Sequence, residues 1–415
     1  MKLWKRLFTR SASVSNPAMA WMFGAGEPSK SGVTVNSTTA MQASVVAACV
    51  RLISEGVGRM PLHVVTDTAD AFTPVTDHWA HRLLAQQPTV DLHSMEWREF
   101  MTASALLTGN AVALKVRKSA RKDEYTELLP LLPGWYSITK AQTRSGRSTY
   151  TVATPFGVSG TFGPDDVFHL RGPLLKDDAL GSDFVRLGAE SIGLSLAMEA
   201  SHATLHANGV RPSGVLTTEQ SLSQEAITSL SEQFQGNFAG ILNSGKVPLL
   251  DKGLKFAQAT WSGVDSQHLE TRKFQVEEVC RIFNCFPQMV MHNTATTTYA
   301  SVEAFFAAHL EHTLMPWVIR WQSALQRDVI GYGKGLRIEL DTKGFRAPNL
   351  NDLSAHVDRM VNRGVMTKND GRRAIGLQPI DGLDDKPEAA PIGHNGGPPI
   401  DGAPANQTPA LTVVK

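Results

Sequence analysis

SVVAACVRLISEGVGRMPLHVV, residues 44–65, changes its period once and so sets the class of the fold. Val45 or Val46, Cys49, Val50, Ile53 and Val57 recur at helical spacing, Gly58 and Pro61 close the helix, and LHVVT continues as a strand. The same handover recurs in SMEWREFMTASALLTGNAVALKVRK, 94–118, where a helix beginning at Ser94 runs to Gly109–Asn110 and passes into a strand. Between them, HWAHRLLAQQP reads as a short helix ended by Pro88. From 125 to 175 the pattern becomes short strands and turns: YTELLPLLPGWYSITK, STYTVAT and DVFHLRG. Strands joined by short turns pair antiparallel, because a parallel pair needs a crossover of a dozen or more residues. The fold class is therefore α+β.

Beyond Gly181 helices take over. GSDFVRLGAESIGLSLAMEASHATLHANGVRP, 181–212, reads as one long helix stopped by Asn208–Gly209 and Pro212. A helix capped by Ser221 or Ser223, with Glu225 in its first turn, then leads to strand-like KVPLL and LKFAQAT. DSQHLETRKFQVEEVCRIFN, 265–284, is helical again and is expected to stop at Pro287. MHNTATTTYASVE, 291–303, follows as a neutral, hydroxyl-rich run with no Gly or Pro. The last long pattern carries Val302, Phe305, Phe306, Leu310, Leu314, Trp317, Trp321 and Leu325, with Pro316 expected to kink it near 312–316. LRIELDT is a strand, and 349–377 reads as two small helices split at Gly364. Ten of the twenty-three residues from 387 to 409 are Pro or Gly, so the tail is read as disordered.

Composition excludes several functions. The 415 residues, 42% hydrophobic, suffice for a sizeable core. Forty basic against thirty-nine acidic residues give a net charge of +1, unlike a protein that grips nucleic acid tightly through many phosphates. Three cysteines, Cys49, Cys280 and Cys285, are too few for a disulfide framework and point to a reducing compartment, and Cys280 and Cys285 read as packing thiols. MKLWKRLFTR lacks the apolar run of a signal peptide and reads as a short amphipathic arm. GILNSGKV, 240–247, fails as a P-loop because Val247 has no hydroxyl for Mg²⁺ and Pro248 follows where a helix should start. His202 and His206 have zincin spacing, but Ala203 stands where the glutamate is needed. The Glu199–His202 pair has no second copy, and His309 with His312 lacks further ligands. No catalytic constellation emerges, so a structural or conduit role is favoured over an enzyme, with no cofactor or metal.

The segments taken in order resemble the portal proteins of tailed bacteriophages, in the branch typical of long non-contractile-tailed phages. The resemblance is carried by SVVAACVRLISEGVGRMPLHVV; by HRLLAQQPTVDLHSMEWREFMTASALLTGNAVALKV; by DVFHLRG with DDALGSDFVRLGAESIGLSLAMEASHATLHANGVRPSGVLTT; by LSQEAITSLSEQFQG and SGKVPLLDKGLKFAQAT; by SQHLETRKFQVEEVCRIFNCFPQMV and ASVEAFFAAHLEHTLMPWVIRWQSAL; and by VNRGVMTKNDGRRAIGLQPIDG. It covers about residues 38–384. Asp370 stands where the family usually has Glu, and PIDGLDD has one glycine fewer.

The resemblance implies a portal-type fold: a flexible N-terminal arm at 1–37, an α+β wing at 38–180 with a return strand in 331–349, and stem helices at 181–213 and 262–287 around a small α/β clip at 214–261. A tunnel loop at 288–301, a kinked helix at 302–330, a short helical crown at 350–383 and a disordered tail at 384–415 complete it. It also implies a homo-oligomeric ring of about twelve copies, closed by heterologous contacts. Such a ring sits at one capsid vertex of a virion and is assembled in the host cytoplasm. It passes double-stranded DNA transiently and without sequence preference during packaging and ejection. The implied partners are the terminase large subunit, a head-completion adaptor and the major capsid or scaffold protein, with no membrane. DNA-facing candidates are His292, Asn293, Thr294, Thr296, Thr297 and Thr298; the kink is assigned to Pro316; docking candidates in the clip are Lys246, Lys252 and Lys255; stem candidates are Arg272, Lys273 and Arg281. Two readings from other classes are a metal- or nucleotide-dependent enzyme on a helical scaffold, and a membrane-surface scaffold using the basic arm.

Overall fold

The computed structural model describes residues 26–66, 74–117, 124–140, 147–175, 177–207, 214–217, 255–258, 264–292, 299–345, 350–375 and 377–384, with a few positions between 223 and 232. It divides into a main unit up to Phe345 and a C-terminal unit from Arg346.

The main unit opens with a small antiparallel pair, β1 (Glu27–Pro28) and β2 (Thr34–Val35). Helix α1 (Ser44–Gly58) and strand β3 (Leu62–Thr66) follow, as the change of period at Gly58–Pro61 requires. The buried face of α1 includes Val46, Cys49, Val50, Ile53 and Val57. Helix α2 (Ser94–Thr108) packs against α1. The helix opens at Ser94 as expected, with His93 as its N-cap: His93 N–H donates to Glu96 Oε2 at 2.9 Å. Ser94 itself is buried and donates to Leu84 O. Gly109, left-handed at φ 78, ends α2 and turns the chain into β4 (Asn110–Arg117).

All strand pairs among the described residues are antiparallel. β5 (Tyr125–Leu131), β4 and β9 (Val167–Arg171) form one three-stranded sheet with β4 in the middle. β6 (Tyr136–Thr139), β7 (Thr149–Ala153) and β8 (Ser159–Phe162) form a second. The expected long helix from 181 is two helices, α3 (Phe184–Leu187) and α4 (Ala189–Ala207), broken at Gly188. A Cβ on Gly188 would lie 2.5 Å from Ile282 Cδ1, so the neighbouring helix comes closest where the chain has no side chain. α4 also carries the N-terminal pair: a Cβ on Gly193 would lie 2.3 Å from Ser29 Oγ, and Lys30 N–H donates to Glu190 Oε2 at 3.1 Å.

β10 (Gly214–Thr217) pairs with β11 (Lys255–Gln258). Helix α5 (Val264–Phe283) then packs on α4 and α1. It stops at Phe283, short of the Pro287 expected from sequence. α6 (Tyr299–Ala308) and α7 (Met315–Leu325) are joined by a π-helical turn at His309–Leu314, and β12 (Leu336–Leu340) returns to pair with β3. The core centres on Trp97, Phe168 and Trp321, whose ring centroids lie 5.3–5.6 Å apart. Trp321 Nε1 donates to Thr102 Oγ1 at 2.9 Å and Trp97 Nε1 to Leu128 O at 3.0 Å, so burial of these indoles leaves no donor unmet. Cys49, Cys280 and Cys285 are free and buried.

Arg98 is buried, with 4% of its surface exposed, because α1 ends there. Its Nη2 donates to Gly58 O at 2.6 Å and Met60 O at 2.8 Å, carbonyls that a helix end leaves without partners. Burial pulls its pKa down to about 10, still charged at neutral pH.

The β5–β4–β9 sheet and the root of the α3–α4 segment meet at Asn110. Its Oδ1 accepts Gly181 N–H at 3.0 Å and faces His169 Nε2 at 3.0 Å. The Gly181 N–H fixes the amide orientation, since only an oxygen can accept it. His169 therefore carries its proton on Nε2, and Nδ1 accepts from Tyr150 OH at 3.0 Å. Burial, with Arg171 and Arg327 nearby, keeps this imidazole neutral by pushing its pKa well below the usual value. The backbones cross closely: Gly172 N–H donates to Gly109 O at 2.8 Å, and a Cβ on Gly181 would lie 1.9 Å from that oxygen. Beyond α7, Asp328 Oδ2 accepts His169 N–H at 3.0 Å, while Lys115 Nζ donates to Asp328 O at 2.6 Å.

The C-terminal unit holds α8 (Leu350–Asn362) and α9 (Lys368–Ala374), divided at left-handed Gly364. Thr367 and Asp370 form a capping box for α9.

Asn110→Ala leaves the Gly181 N–H and the His169 ring buried without their acceptor and is expected to cost about 2–4 kcal/mol by urea denaturation. Gly181→Ala drives a methyl into a carbonyl that cannot move away and is expected to cost about 3 kcal/mol or more in the same assay. Asp183, the N-cap of α3, accepts Arg186 N–H at 2.9 Å, yet burial pushes its carboxyl up to about 7. The folded chain thus holds that proton more tightly than the unfolded one, and stability falls as pH rises from about 4 to about 7. Asp183→Asn keeps the cap without the charge, so scanning fluorimetry should show a larger gain in Tm over the parent at pH 8 than at pH 5.

Candidate functional site

The hydroxyl-rich run lies between two structured shoulders. On one side α5 ends because Asn284 turns left-handed at φ 54, a conformation a short amide tolerates better than other side chains. A 3-10 turn at Pro287–Val290 follows, and Met291, left-handed at φ 62 and 94% exposed, redirects the chain. His292 N–H closes back on Pro287 O at 3.0 Å. On the other side α6 begins at Tyr299, three residues earlier than the expected 302. The rings of Phe286 and Phe305 approach to 6.3 Å between the two shoulders. Of the DNA-facing candidates, His292 is half-buried at this base; Asn293, Thr294, Thr296, Thr297 and Thr298 lie outside the described residues.

Pro316 is the second residue of α7, immediately after the π turn. Lacking an N–H, it leaves the carbonyl four residues back, on His312, without its helical partner. Asn284 Nδ2 supplies the missing donor, 2.8 Å from His312 O, and Thr313 Oγ1 returns a bond to Asn284 O at 2.6 Å. Met315 N–H reaches Leu310 O, the five-residue spacing of a π turn. The wider turn takes up the proline while the chain stays helical: Leu314 and Met315 both keep right-handed helical angles. One asparagine thus ends the helix before the loop and stitches it to the helix after the loop. Sequence reading credited Pro287 with that stop; the signal in hand was Asn284 itself, a residue type enriched where helices end left-handed.

The shoulders also hold unmet polar atoms. Gln275 Oε1, Gln288 Oε1, His292 Nε2 and His309 Nδ1 are buried with no hydrogen-bond partner. Burial pulls the His309 imidazole down to about 4, so it is neutral at pH 7.

The stem candidates lie on α5, where Arg272, Lys273 and Arg281 are all exposed. Arg281 is tied within its own helix, to Glu277 at 3.2 Å and to Glu278, and its guanidinium sits 5.5 Å from the Phe274 ring centroid. In solvent such pairs contribute little stability; their effect is to neutralise that charge locally. Of the docking candidates, Lys255 opens β11 opposite Thr217, while Lys246 and Lys252 lie outside the described residues. Among the described residues no group of three or more His, Cys, Asp and Glu is placed to hold a metal ion, and no helix is long and apolar enough to cross a membrane.

The chain is similar to known proteins along most of its length. It is 28% identical over 416 residues to a probable portal protein of Streptomyces phage phiC31, covering 93% of this chain and 88% of that one. It is 28% identical over 358 residues to the portal protein of Enterobacteria phage HK97, covering 85% and 82%. Its fold is like that of a chain in the neck of a native gene transfer agent particle, the neck being computed with C12 symmetry, with TM-score 0.55, 22% identity and coverage of 83% of this chain and 94% of that one. The family model for phage portal proteins matches residues 44–376, and by that match the chain belongs to the phage portal protein family, a structural family of the virion portal vertex.

Proposed function

We propose that copies of this chain close into a ring at one capsid vertex and that double-stranded DNA passes through it during packaging and ejection, with no catalysis by the ring itself. The observation that carries the reading is the Asn284 corner within a chain of this family: it gives a neutral, hydroxyl-rich loop a fixed base between two helices. Small hydroxyl and amide groups touch phosphates weakly, whereas each added Lys or Arg releases counterions and grips. A conduit needs the weak contact. Ring closure by about twelve copies is supported by the twelvefold symmetry of the similar neck.

In this reading residues 38–180 and 331–349 form the wing against capsid or scaffold protein, 181–213 and 262–287 the stem, and 350–383 the crown. The clip, 214–261, with Lys246, Lys252 and Lys255, docks the terminase large subunit and later a head-completion adaptor. Arg272 and Lys273, exposed on α5, supply diffuse positive charge along the stem. Assembly takes place in the host cytoplasm, before DNA enters.

Replacing Thr296 and Thr297 together with Lys adds two cations per subunit to the loop, repeated around the ring. The double variant is expected to assemble rings as the parent does, seen by negative-stain microscopy, and to package DNA at least about tenfold less well, read as nuclease-protected DNA. Undiminished packaging would show that the loop does not touch DNA.

A further inference from the structure

One face of α4 is covered at its start and bare in the turns that follow. Ser29 fills the space over Gly193, where a Cβ would lie 2.3 Å from its Oγ, and Lys30 N–H donates to Glu190 Oε2 at 3.1 Å. Spacings of three and four put Leu194, Ala197 and Met198 on the same face as Glu190 and Gly193. Leu194 is 38% exposed, and Ala197 and Met198 are half-buried, while Ile192 and Leu196 pack into the core. Glu190 and Glu199 are both exposed, and α4 carries no Lys or Arg.

Residues 1–25 lead straight to this face, because the described chain begins at Gly26. They include AMAWMF, 18–23, with Trp21 and Phe23 among its apolar side chains. They contain no acidic residue, but Lys2, Lys5, Arg6 and Arg10 are basic. Phe23 lies six residues before Ser29, a reach of at most about 20 Å. Met198 lies five residues after Gly193, about 8 Å along a helix. The apolar run can therefore reach Leu194 and Met198 with no change in the described chain. Covering them removes apolar surface of both partners from water, and a basic segment beside an acidic helix is attracted to it. A lipid surface would also take up basic and aromatic residues, but it would leave this face of α4 bare and give Glu199 no role.

We propose that residues 18–23 lie along the Leu194–Met198 face of α4 in their own chain, with the basic residues ahead of them directed to Glu199. The N-terminal arm is then a strap that extends the contact begun by Ser29 and Lys30. This does not depend on the ring reading above.

The test uses the full chain with a photo-crosslinking amino acid in place of Trp21 and α4 unaltered, mixed with isotopically heavy parent chain, with and without phosphatidylglycerol vesicles. Crosslinks from position 21 to residues 190–205 of the same chain are expected, read by mass spectrometry, in dilute and assembled protein alike. A second measurement is chymotrypsin cleavage after Trp21 and Phe23, which follows the fraction of time the strap is off the helix. The Leu194→Glu, Met198→Glu double variant should be cut there at least about tenfold faster than the parent. Crosslinks that run to the heavy copy, to lipid or to other parts of the chain would overturn the proposal. So would the absence of crosslinks, or equal cleavage of parent and variant.

Discussion

One side-chain amide ties the two halves of the main unit together. Asn110 sits where α2 hands over to the central strand of the β5–β4–β9 sheet, and its oxygen accepts from the chain that starts α3 and faces a ring on β9. The surrounding glycines exist for the same reason. Gly109, Gly172 and Gly181 let three backbones cross within hydrogen-bond distance, where any Cβ would strike a carbonyl or an amide. The direction in which the α3–α4 segment leaves the β5–β4–β9 sheet is fixed here, and with it the place where α5 packs.

A second constraint acts at the other end of α5. Proline inside a long helix removes one donor, and proteins often answer with a bend and a water. Here the answer comes from Asn284, whose side chain replaces the lost donor and whose left-handed backbone ends the preceding helix. Arg98 follows the same logic at α1, as a buried cation set on carbonyls that the helix end leaves over. Each of these side chains supplies a backbone hydrogen bond that secondary structure alone leaves unmade.

Much of the fold was legible because its signals are local. Helix and strand periods around Gly58–Pro61 and Gly109–Asn110, the antiparallel strands from 125 to 171 and the split at Gly364 all rest on neighbours in sequence. What stayed hidden is non-local. LLTGN, VFHLRG and LGSD can be read as three motifs in order, but nothing in their spacing says that Asn110, His169 and Gly181 touch. Gly188 looks like a tolerated glycine in a helix until Ile282 is seen to occupy the space its side chain would need. Arg98 shares the helix face of Met101 and Ala105, but its carbonyl partners lie 38 and 40 residues away, where spacing along the helix gives no sign of them. Of the candidate site, Pro316 and the exposed α5 cations were legible as residues. The role of Asn284 was not, since it depends on a carbonyl 28 residues further along.

The contact between the β1–β2 pair and α4 carries a practical corollary. Ser29 packs where Gly193 leaves room, and Lys30 is pinned to Glu190, so the chain enters the main unit alongside α4. An affinity tag or reporter joined directly at residue 26 would be delivered beside this helix. A fusion partner placed there would sit against α4, which makes the choice of terminus a structural decision for anyone producing this protein.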